Sequence, residues 1–258
     1  MEKTRAGIQS VEVGFTLLDA LSRAPGPLML RDLAAAAGMS AAKAHRYLVS
    51  FQRLGLVSQD GTTRYDLGPA ALKLGLTAIT RLDAIKLARE RMPVLMERIG
   101  HTLALAVWGN FGPTIVHWEE SPQSVTVNLR LGDVMPLLSS ATGRCFAAYV
   151  SRDAIAPLLR EEMARARQLG RTDLPRSQAD LNLMLRQVRE HGLARVVDSL
   201  LPGVAGFCAP VFDFDGHLVL GMVAMGSVAS FDTAWNGAVV TPLKAAAQQL
   251  SAELGHRP

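Results

Sequence analysis

The chain has 258 residues, of which 49% are hydrophobic, so it is long enough to bury the core of one large or two modest domains. Its formal net charge is +4, and residues 1–75 hold nine Lys and Arg against six Asp and Glu, which agrees with an anionic partner but does not require one. No apolar run reaches the ~20 residues that span a bilayer, and the charged start lacks the apolar segment of a signal peptide. These features exclude a membrane protein, and we expect a soluble, cytoplasmic one.

The first predicted element is a helix in which Val11, Phe15, Leu18 and Leu21 recur at helical spacing. We expect this apolar stripe to close the core of a small helical domain.

Residues 28–57 predict two helices joined by a short turn around Gly38. Ser40 is a suitable N-cap for the second helix, since its hydroxyl can accept a backbone N–H of the first turn. Lys43, His45 and Arg46 then fall in the first turns of that helix, the part that a recognition helix inserts into the major groove. The alternative is an ordinary pair of amphipathic helices whose basic residues form a solvated face.

A hairpin after these helices favours the DNA-binding interpretation. Residues 56–59 and 64–67 are strand-like, and Asp60-Gly61 between them suits a tight turn. A hairpin in this place is the wing of a winged helix-turn-helix. The predicted DNA contacts of the module as a whole are Arg31, Ser40, Lys43, His45, Arg46, Thr62, Thr63 and Arg64, with the last three at the tip of the wing.

A helical stretch with one apolar stripe follows Gly68-Pro69, and its members are Leu72, Leu76, Ile79 and Leu82. The stripe is either core or a dimer seam, and we favour the seam because DNA-binding proteins commonly pair two recognition helices. Pro93 predicts a break before residues 94–99. The domain boundaries that we expect are therefore a winged helix-turn-helix in residues 1–75, a linker and dimerisation helix in residues 76–92, and a second domain in residues 93–258.

The second domain is predicted to be α+β, with an antiparallel sheet covered by helices. The predicted strands cover residues 103–108, 114–118, 124–129, 195–198, 207–213 and 218–225. The predicted helices cover residues 141–149, 152–167, 178–191 and 241–254.

The stretch from Pro136 to Cys145 combines a strand end, a turn of small residues and a helix start. Unpaired N–H groups at such a helix start favour an anion, so Ala141 and Thr142 could hold a carboxylate. The alternative is an ordinary capped helix. Trp108, Trp118, Phe207 and Met225 are candidate walls of an apolar chamber above the turn, and each is also compatible with plain core.

Motifs of catalysis and cofactor binding are missing. The sequence has no G-x-S-x-G, H-E-x-x-H or G-x-G-x-x-G motif, and Cys145 and Cys208 have neither metal-ligand nor disulfide-framework spacing. We expect two buried thiols, no metal and no cofactor.

Four segments in this order resemble the IclR family of bacterial transcriptional regulators over nearly the whole chain. They are LRDLAAAAGMSAAKAHRYLVSFQRLGLV, RYDLGPAALKLG, GDVMPLLSSATGRCFAAY and LLPGVAGFCAPVFDFDGHLVLGMVAMG. The resemblance implies a winged helix-turn-helix, a dimerising linker helix and a GAF-like C-terminal effector-binding domain. It also implies a homodimer or homotetramer on a double-stranded DNA operator, and effector contacts through the turn of residues 139–143, the stretch around Asp198 and the late strand through Val223.

The expected effector-binding residues combine this resemblance with the chamber. They are Trp118, Ser139, Ser140, Ala141, Thr142, Gly143, Asp198, Ser199, Phe207, Val223 and Met225. Val223 and Met225 are apolar where a glyoxylate-type pocket has hydroxyls, which favours a larger, flatter ligand such as an aromatic carboxylate. We therefore expect a regulator of a catabolic operon. The alternatives are a hydrolase of small acids or esters that uses Ser139 or Ser140, and a structural DNA-binding protein without a ligand.

Overall fold

Helices α1 to α4 and a small hairpin form the first of two units in the chain, which divides between Leu82 and Asp83. The computed structural model describes residues 7–122 and 129–257. The elements of the first unit are α1 Gln9–Arg23, α2 Leu30–Ala36, α3 Ala41–Arg53, β1 Val57–Gln59, β2 Tyr65–Leu67 and α4 Pro69–Arg81.

The core of this unit joins α1, α2, α3 and the hairpin. Leu17 and Leu21 of α1 pack with Leu33 of α2 and Leu48 of α3, and all four are buried. The predicted α1 stripe is wrong in part, because Val11 and Phe15 are exposed and Gly14 and Leu17 face the core instead. Because Gly14 has no side chain, α3 can pack close to α1: a β-carbon at Gly14 would lie 3.0 Å from the ring of Phe51.

The wing is a hairpin with a third, minimal strand. β1 pairs antiparallel with β2, and Tyr65 of β2 exchanges two backbone hydrogen bonds with Leu28, of 2.8 and 2.9 Å. The tight turn predicted around Asp60-Gly61 is longer than expected: five residues, 60–64, connect the strands, and the positive φ lies at Thr63. The Asp60 carboxylate holds this longer connection together by accepting the N–H groups of Thr62 and Arg64 at 2.8 and 3.0 Å.

The linker region consists of two helices. α4 ends at Arg81, and α5 Ala84–Ile99 begins after Asp83, whose carboxylate accepts the Lys86 N–H at 3.0 Å. The predicted boundaries therefore move: α4 belongs to the first unit, and Pro93 lies inside α5 instead of breaking it. The ring of Pro93 is tolerated within a helix that packs Met92 and Leu95 into the core of the second unit.

The second unit is a five-stranded antiparallel sheet with helices on both faces. After α5 its elements are β3 Thr102–Gly109, β4 Gly112–Glu119, α6 Ala141–Tyr149, α7 Arg152–Gln168, α8 Gln178–His191, β5 Ala194–Val197, β6 Val204–Phe212, β7 Leu218–Ser227 and α9 Val240–Glu253. The strand order is β4-β3-β7-β6-β5. One core lies between the sheet and α6, α7 and α8, and the other lies between the sheet and α5 and α9.

The predicted α+β class is confirmed, and the four helices predicted for residues 141–254 match α6, α7, α8 and α9 to within one residue at each end. The predicted strand at residues 124–129 falls on residues 124–128, which lie outside the described part of the chain, and Leu129 is not in a strand. Within the described residues, no helix combines the length and the apolar character needed to cross a membrane.

Candidate functional site

The start of α3 presents basic side chains to solvent. The Ser40 hydroxyl accepts the Lys43 N–H at 3.4 Å, as predicted for the N-cap, while Ala44 and Leu48 anchor the helix in the core. Lys43, His45 and Arg46 are exposed. Lys43 and Arg46 are three residues apart and therefore neighbours on the helix surface, whereas His45 lies toward the flank.

The tip of the wing is ordered by its own hydrogen bonds. The Thr62 hydroxyl donates to Asp60 at 2.7 Å, and the Arg64 guanidinium reaches the Pro27 carbonyl at 3.4 Å. The Arg64 and Thr62 hydrogen bonds lower the pKa of Asp60, which keeps it an acceptor. Arg31 of α2 is exposed. All eight predicted DNA contacts belong to the first unit, where the Arg64 guanidinium bonds the Pro27 carbonyl and the Thr63 hydroxyl bonds the Met29 sulfur at 4.0 Å.

A cavity of about 50 Å³ lies in the second unit between the sheet and the start of α6. Its walls come from the five strands of the sheet, from the start of α6 and from nearby loops, and none of the described residues that line it is charged. The lining residues are Ala104, Ile115, Trp118, Leu129, Met135, Ser140, Ala141, Thr142, Val196, Leu200, Leu201, Val204, Ala205, Gly206, Val223 and Met225.

The first turn of α6 forms the polar end of this cavity. The Ser140 hydroxyl accepts the Gly143 N–H at 2.8 Å and donates to the Pro136 carbonyl at 2.7 Å, so the cap is complete. The N–H groups of Ala141 and Thr142 have no acceptor within the helix, as in any first turn. Among the residues that the structure describes, no group bonds the Thr142 hydroxyl. Two N–H groups and one hydroxyl are therefore free to bind a ligand anion.

Five of the eleven predicted effector residues do not line the cavity. Phe207 was expected in its wall, but it is fully buried on the opposite face of the sheet, stacked on Phe231 with ring centroids 5.6 Å apart. Ser139 lines a neighbouring groove. Gly143 is covered by the turn itself, because a β-carbon there would lie 1.8 Å from the Pro136 oxygen.

Asp198 and Ser199 are also outside the cavity wall, because each supports the loop before β6. Asp198 has a positive φ of 56° and accepts the Gly203 N–H at 2.7 Å. The Ser199 hydroxyl donates to Asp173 at 2.7 Å, and Arg171 and Ser199 hold the pKa of Asp173 well below its usual range. These bonds close the loop whose Leu200 and Leu201 do reach the cavity.

Trp118, Ser140, Ala141, Thr142, Val223 and Met225 are brought together as predicted. The pairing explains the rest of the wall: Met225 lies between Thr102 and Gly206 in the sheet, and Val223 lies between Ala104 and Cys208. Gly206 was missed, although a glycine inside an apolar strand is a known signal for close approach by a ligand or a backbone.

The two cysteines are buried and free, as expected. Burial raises the pKa of the Cys208 thiol, which keeps it protonated and unreactive. In the described ranges, no three His, Cys, Asp or Glu side chains cluster as metal ligands would.

Family models match both units of the chain. The IclR helix-turn-helix domain matches residues 10–61, and the model described as bacterial transcriptional regulator IclR C-terminal matches residues 76–252. The solved structure of Pseudomonas aeruginosa HmgR is 35% identical with a TM-score of 0.87, covering 96% of this chain and 99% of that one.

Curated relatives agree with these matches. The glycerol operon regulatory protein of Streptomyces coelicolor is 30% identical over 80% of each chain. The HTH-type transcriptional regulator KdgR of Escherichia coli is 27% identical over 99% of this chain and 96% of its own length. The exposed basic helix, its wing and these matches together show that the chain belongs to the IclR family of bacterial transcriptional regulators.

Proposed function

We propose that this regulator senses a small carboxylate, in particular an aromatic acid, and thereby controls a catabolic operon. The observation that carries the proposal is the contrast within one cavity. Its walls are largely apolar, and the start of α6 offers one hydroxyl and two N–H groups that have no partner among the described residues. An anion placed there receives hydrogen bonds and the positive end of the helix dipole without a cationic side chain.

The volume of the cavity sets a condition on the ligand. A cavity of about 150 Å³ holds benzene, which is well above the roughly 50 Å³ seen here. An aromatic acid therefore requires wall side chains to move, and the unbranched Met135 and Met225 are suited to that because they change rotamer easily. The indole of Trp118 supplies a flat apolar surface for the ring.

We infer that the DNA-binding units pair through α4. No residue of α4 is buried within its own unit, and Leu72, Leu76 and Ile79 expose one apolar stripe. A second copy would cover this stripe and place two recognition helices on a palindromic operator, as a dimer or as part of a tetramer. The ligand must then favour one of two states of this assembly, with a coupling of typically ~1 to 3 kcal/mol.

The hydrolase hypothesis has no support in the geometry. The Ser140 hydroxyl is committed to capping α6, and Ser139 faces a different groove. A nucleophilic serine instead needs a hydrogen-bonded general base.

A thermal-shift screen tests the proposal with matched ligands. Benzoate, cyclohexanecarboxylate, acetate and the neutral benzamide separate the carboxylate from the ring, and a ligand that binds only the native state raises the melting temperature. We expect benzoate to stabilise the protein more than benzamide or acetate does. Equal stabilisation by benzamide would overturn the carboxylate assignment. Preference for acetate would overturn the aromatic one, and no shift with any acid would favour a structural DNA-binding protein without a ligand.

A further inference from the structure

The turn of residues 136–140, which precedes α6, is largely buried, although its backbone N–H and carbonyl groups need hydrogen-bond partners. Leu137, Leu138 and Ser140 are each at most 2% exposed. Buried N–H and carbonyl groups must find partners or cost free energy. The partners of this turn come from α7, which is distant in sequence, and from α6, which follows it.

Glu162 of α7 supplies the acceptors. Its Oε1 accepts the Leu137 N–H at 2.7 Å and its Oε2 accepts the Leu138 N–H at 2.9 Å. One carboxylate thus binds two successive N–H groups, as a bound anion would. Because both partners are backbone amides, the contact depends little on the side chains at 137 and 138.

Arg144 of α6 holds the same turn from its carbonyl side. Its Nε donates to the Leu138 carbonyl at 2.7 Å, and a terminal nitrogen donates to the Arg195 carbonyl of β5 at 3.2 Å. The turn is therefore bonded to α7, to α6 and, through Arg144, to the sheet.

The position of Glu162 separates this role from ligand contact. Glu162 lines the groove on the far side of the turn together with Pro136, Leu137 and Ser139, and it does not line the cavity. Met135 is common to both walls. Any shift of residues 136–138 also moves the Pro136 oxygen, which accepts from the Ser140 cap and lies against Gly143.

We infer that Glu162 is a positioning residue of the ligand site: its carboxylate fixes the turn at Leu137 and Leu138, and so sets where the N–H groups of Ala141 and Thr142 point. The inference rests on the proposed carboxylate site. Burial raises the pKa of Glu162, and its two backbone hydrogen bonds oppose that effect. The ionised form has acceptors on both oxygens, which suits the two N–H groups that face it.

The variant Glu162→Gln tests this role. Its side chain keeps one acceptor oxygen, but its NH2 group is a donor and cannot accept the second backbone N–H. Its matched control is Glu161→Gln, on the exposed side of the same helix. Hydrogen–deuterium exchange of the ligand-free proteins should show faster exchange at Leu137 and Leu138 in E162Q only. Calorimetric titration with benzoate should show an affinity about tenfold lower in E162Q, since hydrogen bonds to charged groups contribute roughly that much. Operator affinity without ligand should stay unchanged.

The outcomes are distinguishable. Unchanged exchange at Leu137 and Leu138 would overturn the role of Glu162 in fixing the turn, and faster exchange with unchanged benzoate affinity would overturn its role in positioning. If the wild-type protein fails to bind benzoate, the aromatic-acid assignment proposed above is wrong, and exchange alone decides whether Glu162 fixes the turn. Should E162Q not fold, Glu162→Asp keeps both oxygens but withdraws them by one methylene and gives the same two measurements.

Discussion

Gly206 of β6 faces Ala141 at the start of α6 across the cavity: a β-carbon added at Gly206 would lie 3.9 Å from that of Ala141. The same β-carbon would lie 3.3 Å from the Ala224 oxygen, so a methyl group fits only tightly. The cavity therefore depends on the absence of a side chain at this position, since a larger residue would fill the space that a ligand would use.

Gly206→Val should abolish benzoate binding, because its two γ-carbons would extend into a cavity of about 50 Å³. Gly206→Ala should weaken binding less. Calorimetry measures the affinity, and operator binding in a gel-shift assay should persist in both variants. Ala164→Val, an exposed change on α7, is the control for the added volume. Full benzoate affinity in a folded Gly206→Val protein would move the site elsewhere.

Thr142→Val should lower benzoate affinity by about fivefold, since it keeps the shape and removes one hydrogen bond worth roughly 1 kcal/mol. A bulky residue such as Phe at the same position should abolish the ligand response and leave DNA binding intact. Thr241→Val is the matched control, because Thr241 occupies the same second position of α9. If Thr142→Val and Thr241→Val bind benzoate equally, the hydroxyl is not a ligand contact.

Arg46→Ala should weaken operator binding and reduce the slope of log affinity against log salt by about 1, as expected for one lost phosphate contact. Loss of sequence preference in addition would indicate contact with a base edge. Benzoate affinity should not change. Arg186→Ala removes the same charge from the exposed surface of α8 and should leave the salt slope as in the wild type. Equal slopes for both variants would contradict our placement of the recognition helix.

The wing should lose its order at low pH. The Asp60 carboxylate accepts hydrogen bonds from Arg64 and Thr62, which lower its pKa below the ordinary 3.8. A depressed folded pKa means that the stabilisation is present above pH 3.8 and disappears as the pH falls through the folded value. The rate of amide exchange at Thr62 and Arg64, corrected for its intrinsic pH dependence, should therefore rise as the pH falls through the folded pKa of Asp60.

Asp60→Ala should show the same fast exchange at neutral pH and weaker operator binding. Asp66→Ala, on the neighbouring strand β2, is its control. Protected amides at Thr62 and Arg64 in Asp60→Ala would rule out this carboxylate as the organiser of the wing tip.

Leu76→Glu should dissociate the pair of DNA-binding units, because Leu76 is 54% exposed in the middle of the α4 stripe. Analytical ultracentrifugation should report a smaller assembly, and affinity for a palindromic operator should fall toward that for a half-site. Leu183→Glu places the same charge at a similarly exposed leucine of α8 and should change neither measurement. An unchanged sedimentation coefficient for Leu76→Glu would assign the interface to another surface.

Local physics made much of this structure predictable. The Ser40 cap and the apolar spacing of Ala44 and Leu48 predict α3, and its exposed face carries the basic residues, because hydrogen bonding and burial within one helix depend on near neighbours. The start of α6 at Ala141 follows from the Ser140 cap in the same way.

Helix faces were less predictable where apolar residues occur all round. In α1 both Phe15 and Leu17 fit a helical stripe, and only packing against α2 and α3 selects Leu17. The same ambiguity placed Phe207 in the cavity wall: β6 is apolar on both faces, so its alternation does not reveal which side faces α6.

The sequence by itself determined the family, through the resemblance of four segments. It also determined the fold class and the polar turn at Ser140 to Thr142, since these depend on short-range spacing. Tertiary structure decided the rest of the site. The antiparallel pairing of β6 with β7 brings Gly206 beside Met225, and the packing of α6 on the sheet brings it close to Ala141. The packing of α7 against the turn brings Glu162 to two backbone N–H groups. Contacts between residues so far apart in the chain depend on how whole elements pack, which no local pattern encodes.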